Sequence, residues 1–127
     1  MPSDTPPPLH ELEAEVMDEV WAKGEATVRT VMQALNARTC KERAYTTYMT
    51  IMARLHKKGL LVRRREGKTD FYTPAYERER YMALRAGSEV ENLVAQYGDA
   101  ALSQFARQMA ILDPTRRRAL ERLARKD

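Results

Sequence analysis

The chain has 127 residues, 43% of them hydrophobic and 31% charged, with a formal net charge of +4 and one cysteine. That length is enough for one domain with a modest core and an appendage, and a single cysteine excludes an internal disulfide. No apolar run approaches a membrane span, and the opening MPSDTPPPLHE lacks the basic-then-apolar order of a secretion signal, so a cytoplasmic protein with no membrane insertion is expected.

The charge is unevenly spread. Residues 1–25 carry one cation, Lys23, against seven anions, whereas residues 26–76 carry eleven cations against Glu42, Glu66 and Asp70. A basic middle block suits a polyanionic partner.

Residues 1–8 hold four prolines and are predicted to be a disordered tail. Leu9, Leu12, Val16, Met17, Val20 and Trp21 then recur at helical spacing and predict a first helix, with Gly24 at its end. Asp18 and Glu19 fall on its solvent side as surface charge. Thr27 is placed to cap a second helix whose inner face is Val28, Val31, Met32 and Leu35. Asn36 to Arg43 reads as a loop.

A third helix follows in AYTTYMTIMARLHKKGLL, residues 44–61. At about 100° per residue, Ala44, Tyr45, Tyr48, Ile51, Met52 and Leu55 share one face. Arg43, Thr46, Thr50, Ala53, Arg54 and Lys57 share the other, with Thr47 and Met49 at its edges. Threonine is a mediocre helix former, so three of them on an outer face need a reason. Gly59 is a left-handed stop after Lys57 and Lys58. In LLVRRREGKTDFYTP, residues 61–65 and 70–73 can pair as strands around a Glu66-Gly67-Lys68-Thr69 tip. Three helices and a basic hairpin are the plan of a winged helix-turn-helix over residues 9–76.

Residues 77–127 read as helices only. Tyr81, Leu84, Val90, Leu93, Val94 and Tyr97 line one long helix or two, with Gly87-Ser88 as a candidate kink. Ala101, Leu102, Phe105, Met109 and Leu112 line the next. Asp113-Pro114 starts a last helix bearing Leu120 and Leu123. With no sheet to cover these stripes, a second copy of the chain is the simplest partner, which makes this segment a helical dimerisation domain. The expected fold is mainly α with a small β-hairpin wing.

Helix-turn-helix proteins lay the start of the third helix in the major groove. Side chains there must be short, must exchange hydrogen bonds and must meet thymine methyls, and threonine does all three. Arg43, Arg54 and Lys57 are placed for phosphates, as are Arg63, Arg64, Arg65 and Lys68 on the wing. Backbone N–H groups near Thr27, Val28 and Arg29 offer another phosphate contact. Double-stranded DNA is the expected partner; the competing role for such a fold is protein binding without DNA.

Enzyme chemistry is not expected, because there is no Gly-rich phosphate loop and no nucleophile with a histidine nearby. Cys40, His10 and His56 are too dispersed for a metal site, and no cofactor is expected. Cys40 reads as a loop or helix-end thiol.

LEAEVMDEVWAKGEATVRTVMQAL and AYTTYMTIMARLHKKGLLVRRREGKTDFYTP resemble the BlaI/MecI penicillinase-repressor family closely over residues 9–74 and loosely beyond. The combination of E-x-x-V-M-x-x-x-W, A-Y-T-T, R-L-x-x-K-G and F-Y-x-P carries the resemblance. It implies a homodimeric repressor on a palindromic operator. By resemblance Thr46, Thr47, Met49 and Thr50 read bases, while Arg54 and the wing approach phosphates. It further implies release by a membrane sensor protease cutting within the dimerisation helices, at a bond matching Gln104-Phe105, where the best-known members have Asn-Phe. A copper-responsive branch ends in paired cysteines, which this chain lacks. The alternative function is a ligand-gated winged-helix regulator with a small-molecule pocket.

Overall fold

The computed structural model describes residues 5–126, whose elements are α1 (Glu11–Lys23), α2 (Val28–Asn36), α3 (Tyr45–Lys57), β1 (Leu61–Glu66), β2 (Thr69–Pro74), α4 (Arg78–Tyr97), α5 (Asp99–Ala110) and α6 (Pro114–Ala124). The helix boundaries follow local chemistry. Glu13 reaches back to accept from the His10 N–H at 3.0 Å, which ties down the start of α1. Thr27 caps α2, its hydroxyl accepting from the Thr30 N–H at 3.2 Å. Asp113 caps α6 by accepting from the Arg116 N–H at 2.9 Å. Gly59 turns the chain out of α3 at φ +81°, a conformation that costs a residue with a Cβ about 1 kcal/mol or more.

The chain divides into two compact units, the first running to Ala86 and the second from Gly87. In the first unit the core joins Val16, Met17 and Val20 of α1, Val28, Val31 and Leu35 of α2, and Tyr48, Met52 and Leu55 of α3 to Leu60, Leu61, Tyr72 and Tyr81. Each large apolar side chain taken fully from water contributes about 1.5–3 kcal/mol, so this cluster holds the three helices and the hairpin base together.

The hairpin is antiparallel, with Leu61 opposite Pro74 and Glu66 opposite Thr69. Its strands reach further than residues 61–65 and 70–73, leaving a two-residue turn in which Gly67 takes φ +63° and Lys68 does not take a positive φ. Ala26 exchanges backbone hydrogen bonds with Tyr72, at 2.9 and 2.8 Å, and pins the α1–α2 connection to the wing.

Several features are not what the sequence alone predicts. Glu19 is 5% exposed rather than on the solvent side, because Arg38, from the chain after α2, folds over it as an ion pair. Asp18 is exposed as expected and pairs with Arg78 at 3.6 Å. Of the two arrangements expected for this segment, one long helix is found: α4 is continuous through Gly87 and Ser88. Of the expected tail, residues 1–4 lie outside the described residues, and residues 5–8 lie along α4. There Pro6 is buried, and the Pro6 and Pro7 carbonyls accept from Arg85 at 3.2 Å and from the Tyr81 hydroxyl at 2.8 Å.

The first unit also runs past residue 76. Tyr81 is buried with its ring centroid 5.5 Å from that of Trp21, whose indole N–H donates to the Tyr76 carbonyl at 2.8 Å. The first turns of α4 therefore complete the winged-helix core.

Candidate nucleic-acid interface

Helix α3 is fixed on one side and bare on the other. Tyr48, Met52 and Leu55 have no exposed surface, while Thr46, Thr47, Thr50, Ala53, Arg54 and Lys57 are all exposed. The threonines therefore present hydroxyls and methyls outward from a helix that cannot roll. Met49 is 45% exposed at the edge of this face. Ala44 and Tyr45 are the exceptions to the helical-face assignment: Ala44 is the exposed N-cap residue, and Tyr45, at 44% exposure, lies outside the core. Arg43 is exposed just before the helix.

Beside this face runs a groove of about 440 Å³, walled by Tyr45 and Met49 of α3, by Thr27, Val28 and Arg29 at the start of α2, and by the wing residues Lys68 to Asp70 and Tyr72. Three segments distant in sequence thus bring Arg29 and Lys68 to the rim of one channel. No single stretch of sequence announces it, and the inward placement of Tyr45 concealed it.

The three wing arginines are not equivalent, because successive side chains of a strand point to opposite faces. Arg63 lies opposite the buried Tyr72 and shares its face with Arg65, which is 3.9 Å from Asp70. Arg64 points the other way, over the Phe71 ring at 4.7 Å, and pairs with Glu66 at 2.8 Å and Glu25 at 3.3 Å. The Glu66 hydrogen bond leads in raising its pKa above the ordinary arginine value, although desolvation opposes it. Of the wing arginines, Arg64 is held by two carboxylates at 2.8 and 3.3 Å, whereas Arg65 has the single, longer pair with Asp70.

The second unit carries the other expected residues. Leu102 is 51% and Leu123 61% exposed, Leu93 39%, and Ile111, not singled out from the sequence, 76%. Val94, Phe105, Met109, Leu112 and Leu120 are half-buried, and Leu84 is half-buried on the part of α4 belonging to the first unit. Leu93, Tyr97, Ala100, Ala101, Gln104 and Phe105 line an apolar hollow of about 320 Å³. Gln104 is exposed at mid-helix in α5.

Cys40 is exposed in the α2–α3 connection. Among the described residues no cluster of histidine, cysteine and carboxylate side chains could hold a metal, and no helix is long and apolar enough to cross a membrane.

A winged helix with a hydroxyl-and-cation face on its third helix has the make-up of a DNA-binding regulator. Residues 9–126 match the family model described as penicillinase repressor. The chain therefore belongs to the penicillinase repressor family, whose members are transcriptional repressors. It is 41% identical over 99 residues to the transcriptional regulator BlaI of Mycobacterium tuberculosis, a match covering 77% of this chain and 67% of that protein. Two solved structures resemble it. One is Bacillus licheniformis BlaI in its monomeric form with the blaP half-operator (TM-score 0.50, 29% identity, 60% of this chain and 90% of that one). The other is the DNA-binding domain of the repressor BlaI (TM-score 0.52, 28% identity, 62% and 94%).

Proposed function

We propose that this chain represses transcription as a homodimer on a palindromic operator. Each winged helix reads one half-site through Thr46, Thr47, Met49 and Thr50. The observation that carries this is the bare threonine face of a helix anchored on its other side by Tyr48, Met52 and Leu55, none of which has exposed surface. Short hydroxyl side chains let the helix backbone approach base edges, and their methyls favour thymine. Arg43, Arg54, Lys57 and Lys68 surround that face and meet phosphates, with Arg64 a weaker contributor because Glu25 and Glu66 already neutralise it. A DNA partner supports a cytoplasmic location.

The dimer rests on the second unit. Among its described apolar side chains only Ala101 is buried, so its helices lack a core of their own. A second copy laid on Leu93, Val94, Leu102, Phe105, Met109, Leu112, Leu120 and Leu123, with Leu84 at the margin, supplies one. Two-fold symmetry then sets two half-sites about one helical turn apart, near 10 bp. Release follows from a cut between Gln104 and Phe105 by a membrane sensor protease. Gln104 is exposed at mid-helix in α5, which leaves that side of the bond facing solvent. Cutting it ends bivalent binding.

Selection from random duplex DNA at physiological salt tests the proposal directly. A two-fold palindrome is expected, and salt-sensitive binding without sequence preference would refute base reading. On the selected site, Thr47→Ala is expected to weaken binding by about 1–3 kcal/mol, the usual worth of a base contact. Equal weakening on every duplex would remove Thr47 from the reading face. Lys68→Ala is expected to flatten the dependence of log K on log salt by roughly one phosphate contact, without altering sequence preference. An unchanged slope would detach the wing from the DNA.

A further inference from the structure

We infer that Asn36, the last residue of α2, is a positioning residue for base reading: its side chain, clasped to Arg43 and Tyr48, sets where the recognition helix α3 begins. The inference rests on the DNA reading proposed above and adds to it a residue that makes no DNA contact.

The geometry is a closed set of three hydrogen bonds. The Asn36 Nδ2 donates to the Arg43 carbonyl at 2.9 Å, and its Oδ1 accepts from the Arg43 N–H at 3.1 Å. One side-chain amide thus pairs with both backbone groups of one residue, as a neighbouring strand would. The same Oδ1 accepts from the Tyr48 hydroxyl at 2.7 Å. Tyr48 has no exposed surface, so its hydroxyl must be satisfied within the protein. Only an amide serves all three bonds, since aspartate has no donor for the Arg43 carbonyl and leucine has neither group.

What the clasp controls is the chain between α2 and α3. Its other hydrogen bonds are local, among them Arg38 N–H to Leu35, Thr39 N–H to Asn36 and Lys41 N–H to the Thr39 hydroxyl. None of these ties the segment's far end to α2, and the ion pair of Arg38 with Glu19 anchors only its beginning. Helix α3 begins without a side-chain cap at Ala44, and its first core anchor is Tyr48. Thr46 and Thr47 therefore sit on a turn held from one side by Tyr48 and from the other by the clasped Arg43. Base reading needs side chains placed to within about 0.5 Å, and residues that lock such a turn do so without touching the ligand.

The test compares full-length wild type, Asn36→Ala, Asn36→Asp and Tyr48→Phe on a selected operator and on a scrambled duplex of equal length. Thermal melting and amide hydrogen exchange of Arg43 to Thr47 accompany the binding. Asn36→Ala is expected to lose about tenfold or more in operator affinity, to keep its scrambled-duplex affinity within about twofold, and to exchange faster at Arg43. Asn36→Asp, which keeps both acceptor bonds, is expected to fall between Asn36→Ala and wild type, and it serves as the folded comparison if Asn36→Ala melts too low to assay. Tyr48→Phe, which leaves the amide–backbone pair intact, is expected to lose less than Asn36→Ala. Unchanged discrimination in Asn36→Ala would overturn the inference. So would an equal loss on both duplexes that tracked melting, which is the mark of a merely structural residue. If wild type itself failed to discriminate, the DNA reading would have failed and the positioning role with it, while exchange at Arg43 would still report whether the clasp forms.

Discussion

If the chain dimerises through its second unit as proposed, Leu102→Glu in the full-length chain is expected to yield a folded monomer whose operator affinity is about two to four orders of magnitude below that of wild type. Leu102 is 51% exposed on α5, so a carboxylate there remains solvated in a single chain and costs the fold little. In a dimer that buries this face, the same carboxylate would lose its water without a cation to meet it, at a cost of several kcal/mol. Losing the dimer turns the second half-site from an intramolecular event into an independent encounter, which accounts for the drop. Binding to an isolated half-site should be unchanged. Sedimentation velocity together with titration on whole and half operators decides the matter: a variant that sediments as a dimer would move the interface away from α5. The complementary truncation should end after Ala86. Cutting at residue 76 would strip Tyr81 from Trp21 and unsettle the winged helix itself.

Lys58→Met should lower stability by about 3 kcal/mol at neutral pH, toward the low end of the cost of orphaning a buried charge. Glu13 is 1% exposed on α1 and accepts from the Lys58 ammonium at 2.8 and 3.1 Å, which ties α1 to the end of α3. Burial pushes the Glu13 carboxyl up. The His10 N–H, the Lys58 hydrogen bond and its positive charge together outweigh burial, and the net position is below the ordinary value of 4.5. A carboxyl held low contributes stability that is present above its unfolded value and is lost as pH falls through its folded value. Without Lys58 its hydrogen bond and positive charge are lost, while the His10 N–H and burial remain, so the Glu13 pKa should rise. The deficit of the variant should then shrink as pH drops below the ordinary carboxylate value and Glu13 becomes protonated in both proteins. Urea unfolding of the two proteins at neutral and acid pH measures this. A deficit that stayed constant with pH would mean that lost packing of the lysine stem, not the charge pair, carries the effect.

The sequence made much of this molecule legible because its signals are local. Thr27, Asp113-Pro114 and Gly59 mark helix ends through hydrogen bonds and dihedral angles within a few residues, and each does so in the structure. The apolar period of α3 separates Tyr48, Met52 and Leu55 from Thr46, Thr47 and Thr50. These patterns and the linked motifs around them are sufficient to identify a winged-helix repressor.

Tertiary structure decided what depends on neighbours remote in the chain. Periodicity sends Glu19 to water, but Arg38 arrives from beyond α2 and makes burial tolerable by pairing its charge. Three consecutive arginines look alike in sequence, yet the register of the hairpin and the presence of Glu25 set Arg64 apart. Pro6 and Pro7 read as a tail until Tyr81 and Arg85 supply donors for their carbonyls. Asn36 reads as a loop residue until the chain returns to it at Arg43 and Tyr48. By itself the sequence determined the elements, their caps and the chemistry of the exposed helix face, since those follow from bonds and periods within a few residues. Only the tertiary structure decided which charges are answered and what holds the start of α3 in place, because those partners meet through space and leave no period or spacing in the chain.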